Sequence, residues 1–163
     1  MAYPIGQYYI DGADLYLVYG ILIASGSDDF LRLPDRKESI TNDWLDENGI
    51  DIDLSRVFLK SKECTLECAI LAANEIDFWT KYDSFFAMLI KPGLRRLEIT
   101  ELSSSFYVYY KDCPSYDRVT RIKTGPHAGK VGAKFSITFV EQKPRLDASN
   151  VYVITQNNKF IIT

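Results

Sequence analysis

The stretch KVGAKFSITFVE, Lys130 to Glu141, carries the clearest secondary-structure signal in this 163-residue chain. Apolar residues alternate along it with polar or small ones. In a β-strand such a period of two places alternate side chains on opposite faces, so the pattern predicts a strand with one core face and one wet face. The positions predicted to face the core are Val131, Ala133, Phe135, Ile137 and Phe139.

Other segments also predict strands. The stretch ECTLECAI, Glu63 to Ile70, alternates in the same way and directs Cys64 and Cys68 to the core. That position favours reduced, buried thiols over a metal site. The run LYLVYGILIA, Leu15 to Ala24, fits a buried strand because turn signals, Asp11-Gly12 and Ser25-Gly26, bound it.

Two more strands are predicted at Arg95 to Thr100 and at Phe106 to Tyr110. In the second of these, Tyr107 and Tyr109 alternate with apolar residues. One face of this strand is therefore expected to lie in the core, and the tyrosine face is expected to contact a partner.

The stretch NEIDFWTKYDSFFAMLIKPG predicts a single amphipathic helix, at about residues 75–91. Asn74 suits the N-cap, and Pro92-Gly93 supplies the stop. A stripe at spacings of three or four is expected to cover the sheet. Its members are Ile76, Trp79, Tyr82, Phe86 and Leu89.

These elements predict a mainly β (α+β) fold, an antiparallel β-sandwich or small barrel flanked by one helix. Residues 1–144 are expected to form a single domain, and residues 145–163 a linker followed by a C-terminal hairpin in VYVITQNNKFIIT. A lone hairpin is marginal in water, so it is expected to pack on its own body or on a neighbouring subunit.

The charges are unevenly distributed. The chain has a net charge of −3, yet the segment from Asp35 to Asp53 carries seven acids and two bases, which leaves the rest at +2. Such a nearly neutral body argues against a protein that neutralises nucleic-acid phosphates. No signal peptide or membrane-spanning run is visible, so a soluble protein made in a cytoplasm is expected.

Motifs for catalysis are weak. His127 lies in a glycine-rich turn without a recognisable nucleophile, and GPHAGKVG has the wrong spacing for a phosphate loop. DWLDENGIDID resembles a calcium loop, but Trp44 and Ser55 occupy the positions of its first and last carboxylates. Calcium binding stays open for this loop, and no cofactor is expected.

A contact surface explains the same acidic loop better. Trp44 is a large residue for an exposed turn, and its neighbours Asn42, Asp43 and Asp46 would form a polar rim. An aromatic anchor with a polar rim is typical of protein interfaces.

The order of features resembles that of tail components of long-tailed bacteriophages and prophages. The closest likeness is to distal tail proteins and to the related tail-tube fold. It rests on IDGADLYLVYGI near the start, the segment RK followed by DWLDENGIDIDL, and the helix followed by FYVYYKDCPSYDRV.

That resemblance implies a structural, non-enzymatic subunit of a virion tail, made in the bacterial cytoplasm and assembled as a homo-oligomeric ring, commonly of six. It also implies contacts with other tail proteins, without membrane or specific nucleic-acid binding, although DNA can pass through such a ring. The segment Phe30 to Leu54 falls where one subunit's arm packs on the next. Distal ring, tube and connector positions all stay open.

The leading hypothesis is therefore self-assembly through this arm, with its acids meeting Arg95 and Arg96 of the next copy. Alternatives are a carbohydrate- or protein-binding module using Tyr107, Tyr109 and Tyr116, and a metal-dependent hydrolase using Asp43, Asp46, Asp51 and Asp53. The candidate interface residues are Leu33, Arg36, Trp44, Asp46, Glu47, Asn48, Gly49, Asp51, Arg95, Arg96, Tyr107 and Tyr109.

Overall fold

A computed structural model describes residues 5–119 and 121–144, together with the backbone of residues 152–154 and 160–162. The predicted fold class, mainly antiparallel β with one main helix, is confirmed. In chain order the elements are β1 (Tyr8–Ile10), β2 (Ala13–Asp14), α1 (Leu15–Tyr19), β3 (Ile21–Ser25), a 3₁₀ turn (Ser27–Phe30), β4 (Thr41–Asn42), β5 (Asp51–Ile52), β6 (Lys62–Ala72), α2 (Glu75–Leu89), β7 (Arg95–Ile99), β8 (Ser104–Val119), β9 (Val131–Glu141), β10 (Tyr152–Ile154) and β11 (Phe160–Ile162).

The chain divides into two compact units. The first, Met1–Arg32 with Glu63–Gln142, contains the main sheet and both α-helices; the second, Leu33–Lys62 with Lys143–Thr163, contains two hairpins, β4–β5 and β10–β11. The pairing of β10 with β11 confirms the predicted terminal hairpin, whose Asn157-Asn158 turn lies outside the described residues. The predicted domain boundary after residue 144 stays a prediction.

The main sheet has seven strands in the order β2-β1-β7-β8-β9-β6-β3. Its outermost pairs, β1 with β2 and β3 with β6, are antiparallel, as are β1 with β7, β7 with β8, and β8 with β9. The predicted turn at Asp11-Gly12 joins β1 to β2, and both residues have the positive φ that such a tight turn requires. β8 is therefore the central strand of the sheet.

Strand β8 is much longer than predicted, at 16 residues. Two bulges interrupt its pairing with β9, one between Tyr110 and Asp112 and one between Asp112 and Ser115, and Pro114 lies in the second. Bulges let a strand continue past residues that break alternation, which is why the pattern predicted only its first part. Strand β7 pairs with Ser104–Val108 alone, and none of the described strands pairs with residues 109–119 on that side.

The core face of β6 and β9 follows the predicted alternation. Cys64 and Cys68 are buried with the apolar residues of both strands. Burial, together with nearby Glu67, raises the pKa of the Cys68 thiol to about 12. A thiol that stays protonated at neutral pH is a poor nucleophile, so Cys68 acts as a core residue.

The prediction of a wet second face on β9 is wrong for most of that face, where Lys134 is exposed but its neighbours are buried. Gly132, Ser136 and Thr138 are buried there. The hydroxyl of Ser136 lies 2.6 Å from that of Ser115, and the hydroxyl of Thr138 lies 3.2 Å from that of Thr65. β9 lies between β8 and β6, so its small polar side chains are satisfied by neighbouring strands rather than by water.

The predicted strand from Leu15 to Ala24 is also wrong in its first half, where the chain forms α1. The Asp14 carboxylate accepts hydrogen bonds from the backbone amides of Tyr16 and Leu17, both at 2.9 Å, and Gly20 ends the helix in the left-handed conformation. A capping side chain and a glycine stop define a helical turn despite the β-prone residues between them. Strand β3 follows directly.

Replacing Asp14 with alanine is expected to lower the free energy of unfolding by about 2 kcal/mol. The carboxylate is buried and also accepts from the amide of Gly6 at 2.6 Å, so alanine leaves three amides without their acceptor. Urea unfolding followed by circular dichroism measures the change. Asp14→Asn keeps one acceptor oxygen and should lose less; equal stability of all three proteins would contradict this role.

Helix α2 begins where predicted. The Asn74 side chain accepts from the amide of Asp77 at 2.9 Å, and the Asp77 carboxylate accepts from the amide of Ala73 at 3.0 Å. The Ala73 amide and then Lys81 lower the pKa of Asp77. This reciprocal capping fixes the start of the helix, which ends at Leu89, ahead of Pro92-Gly93.

The predicted apolar stripe of α2 is displaced around the helix. Phe78, Phe85, Met88 and Leu89 are its buried residues, whereas Ile76 is 81% exposed. The helix packs on the core face of the sheet, where the Phe85 and Phe135 rings lie 6.3 Å apart. Several overlapping stripes exist on this aromatic-rich helix, so periodicity alone could not select the one that packs.

Arg118 on β8 ties the start of α2 to the sheet. Its guanidinium lies 5.3 Å from the centre of the Phe78 ring and 4.9 Å from that of Trp79, and it pairs with Glu75 at 2.8 Å. Cation–π contacts and an ion pair on one side chain position both elements. Arg118 is thereby occupied within its own chain.

Candidate assembly interface

Residues 35–60 form a two-stranded ribbon, called the arm below. Near its base, Arg36 pairs with Leu59, and the amide of Lys37 donates to the carbonyl of Phe58 at 2.8 Å. Further out, β4 pairs with β5, and the amide of Asp53 donates to the carbonyl of Ile40 at 3.0 Å. Ladder hydrogen bonds along both halves therefore hold the segment as a hairpin rather than as an irregular loop.

The tip of the arm, residues 43–53, is closed by local hydrogen bonds. The Trp44 indole donates to the Asp51 carboxylate at 3.1 Å, and the Trp44 carbonyl accepts from the amide of Glu47 at 3.3 Å. Gly49 provides the turn with a φ of +95°. Trp44 is nevertheless 53% exposed, so this bond orients the ring without burying it.

Large apolar side chains along and beside the arm lie open to solvent. Of residues 33–61, Pro34 alone is buried. Burying a side chain of this size is worth about 1.5–3 kcal/mol, so a partner that covered several of them would be bound favourably. The exposed residues are Leu33, Ile40, Trp44, Leu45, Ile50, Ile52, Leu54 and Phe58.

Charge is separated along the arm. Asp43, Asp46, Glu47, Asp51 and Asp53 lie at or beside the tip, whereas the bases of this segment lie toward its foot. Hydrogen bonds from Ser55, first from its side chain and then from its amide, lower the pKa of Asp53. The Asp53 carboxylate therefore stays ionised at neutral pH, next to the exposed side chains of Ile52 and Leu54.

The fold is similar to that of a known phage protein. The solved structure of the SPP1 Dit (gp 19.1) protein, a paradigm of the hub adsorption apparatus in Gram-positive-infecting phages, matches with a TM-score of 0.61 at 15% sequence identity. The match covers 85% of this chain and 50% of the Dit chain, so this chain spans half of the Dit length. The sequence matches no protein-family model and no curated protein.

The arginines predicted to receive the acidic arm are engaged within their own chain. Arg95 donates to the Asp11 carboxylate at 2.9 Å and to the carbonyl of Pro92 at 2.6 Å. Arg96 pairs with Glu98 at 2.9 Å, and its amide donates to Asp11. The Arg95 side chain in particular is largely buried, so little of its guanidinium is accessible to a partner.

The candidate tyrosines fall into two places. Tyr107 and Tyr109 are 59% and 43% exposed and alternate with buried Phe106 and Val108, as predicted. Tyr116 instead stacks on Phe135 at 6.0 Å, toward the core face. Tyr107 and Tyr109 thus share a surface that excludes Tyr116, and the three do not form one binding platform.

The carboxylates proposed for a metal-dependent hydrolase do not converge. Within the described residues, no group of three or more His, Cys, Asp or Glu side chains is placed to hold one metal ion. Asp51 accepts a hydrogen bond from the Trp44 indole, and Asp53 accepts one from the amide of Ser55 at 2.9 Å.

In the described part of the chain, no helix is long and apolar enough to cross a membrane.

Sequence reasoning missed one further surface, the loop that joins β8 to β9. It contains Arg121, Lys123 and Lys130, and no acid occurs between Asp117 and Glu141. The amide of Gly129 donates to the carbonyl of Ile122 at 2.8 Å, which closes the loop near its base. The absence of acids over this stretch was the available signal.

Proposed function

We propose that this protein is a non-enzymatic structural subunit of a phage-type tail that assembles with copies of itself into a ring. The arm carries this proposal, because it presents large apolar side chains to solvent on a fold similar to that of a phage hub protein. A ring of six subunits, contacts with other tail proteins and a place in the virion tail belong to the same proposal. Leu33, Arg36, Trp44, Asn48, Gly49 and Asp51 are its proposed contact residues.

Light scattering after size-exclusion chromatography, at several loading concentrations, tests the proposal. The expected mass is a whole-number multiple of the chain mass, six for a hexamer, decreasing to smaller species on dilution. A monomer at every concentration would contradict self-assembly. Electron microscopy of the largest species distinguishes a closed ring from an open chain of subunits.

Replacing Trp44 with alanine is expected to weaken assembly by about 2 kcal/mol, or roughly thirtyfold, with little change in unfolding. The indole is half exposed and hydrogen-bonds to the exposed Asp51 carboxylate, so the isolated fold loses little. Ile76→Ala is the matched control, because Ile76 is a well exposed apolar residue outside the arm. Unfolding of the Trp44 variant, or assembly equal to that of the control, would contradict the anchor role.

A carbohydrate-binding module is the second candidate. Tyr107 and Tyr109 are exposed two residues apart on one face of β8, where their rings could stack on sugars. A glycan array separates the two functions: binding that is lost in Tyr107→Ala, in a chain that stays monomeric, would favour the module over the ring.

A further inference from the structure

The acidic charge of the arm tip is not neutralised by an ion pair within the described part of the chain. Residues 43–53 contain five acids and no base. None of these acids makes an ion pair with the described residues. They surround exposed apolar residues such as Leu45 and Ile50, so any surface that covers the tip has to accommodate negative charge.

The β8–β9 loop has the complementary character. Arg121 and Lys123 are exposed and Lys130 is half-buried, and none of the three makes an ion pair with the described part of the chain. Two arginines of the body, by contrast, are occupied: Arg118 pairs with Glu75, and Arg95 pairs with Asp11. The loop is thus a basic surface that the described residues leave without a neutralising ion pair.

We infer that the acidic arm tip of one copy docks against the β8–β9 loop of the next copy. The inference rests on the proposed self-assembly and specifies its contact. Apolar residues of the arm supply the buried area, while the charges around them select the docking surface and its orientation. This contact replaces the one predicted with Arg95 and Arg96, whose charges are met within the chain.

Reciprocal charge reversal tests the contact. One variant carries Asp43→Lys, Asp46→Lys and Glu47→Lys, which takes the tip from −5 to +1; the other carries Arg121→Glu, Lys123→Glu and Lys130→Glu, which takes the loop from +3 to −3. In each variant alone, the tip and the loop carry charge of the same sign. Assembly is therefore expected to weaken by about tenfold or more.

The equimolar mixture of the two variants is expected to assemble again. In an alternating arrangement the acidic tip of one variant meets the unchanged basic loop of the other, and the reversed tip meets the reversed loop. Lys91→Glu and Glu101→Lys are matched controls, because both residues are exposed and lie outside the two surfaces. Both control variants should assemble like the unmodified protein.

Raising the salt from 0.05 to 0.5 M, which shortens the Debye length to roughly 4 Å, should weaken assembly of the unmodified protein.

The outcomes separate the inference from the proposed function. If the unmodified protein assembles and both reversals assemble equally well, the arm docks elsewhere and the inference is wrong while self-assembly stands. If both reversals weaken assembly but the mixture does not recover it, the two surfaces do not meet and the inference is again wrong. If the unmodified protein is monomeric, both are wrong. Should a reversal variant fail to fold, neutral variants replace it, with Asn for Asp, Gln for Glu, and Met for Arg or Lys at the same positions. If the two surfaces meet, assembly of these neutral variants should depend less on salt than assembly of the unmodified protein. An unchanged salt dependence would contradict the contact.

Discussion

A chain in which residues 38–57 are replaced by Asn-Gly is expected to be folded and monomeric. Lys37 and Phe58 already face each other through a 2.8 Å hydrogen bond, so a two-residue turn can close the ribbon there. The removed residues contribute nothing to the hydrophobic core, whose members all lie outside 31–63. Loss of every exposed apolar residue between Ile40 and Leu54 removes the proposed contact surface.

Thermal and urea unfolding should place this shortened chain within about 1 kcal/mol of the full one, because a shorter connection changes the loop-closure entropy only slightly. Light scattering should report the monomer mass at concentrations where the full chain assembles. Assembly that survives the truncation would show that another surface, such as that of Tyr107 and Tyr109, holds the subunits together.

Replacing Gly26 with alanine is expected to destabilise the fold by more than about 3 kcal/mol. Gly26 has a φ of +102°, and a Cβ atom there would lie 2.1 Å from the carbonyl oxygen of Thr65. The clash is with backbone of β6, which cannot move without breaking its pairing with β3. Unfolding by urea measures the loss, and poor soluble expression would be its extreme form.

Gly12→Ala provides the control for the backbone conformation alone. Gly12 has a φ of +83°, but nothing lies within 4 Å of the position of its Cβ. This variant should lose only about 1–2 kcal/mol, the cost of a left-handed conformation for a residue with a side chain. If the two variants lose the same stability, close approach to Thr65 plays no part in the requirement for glycine.

Much of the sheet could be predicted because burial follows a period of two. β6, β7 and the first half of β8 each bury one face, so their sequences alternate visibly. The start of α2 was equally clear, since Asn74 is a strong N-cap. In these places local preference and tertiary packing favour the same structure.

The wrong predictions arose where a distant contact decides the structure. The far half of β8 is a strand because β9 pairs with it across two bulges. The core face of α2 depends on which of its aromatic residues meets Phe135. None of these contacts leaves a local pattern.

The candidate interface was predictable in part for the same reason. The arm could be predicted from its many acids and from Trp44, a large aromatic residue within a polar segment. The surface that contacts the arm could not be predicted from the sequence, because Arg95, the expected partner, is neutralised by Asp11, a residue 84 positions away in the chain. Which charges of a protein are free depends on the folded structure.

The unpaired side of β8 has a consequence for nonspecific strand pairing. A long strand with open amides and carbonyls invites any other strand to add to it, which leads to uncontrolled aggregation. Here the exposed stretch of residues 109–119 contains two bulges and Pro114, which has no amide hydrogen to donate. A strand that approached this side of β8 could form only an interrupted set of backbone hydrogen bonds. The bulges and Pro114 thus oppose nonspecific strand addition along this side of β8.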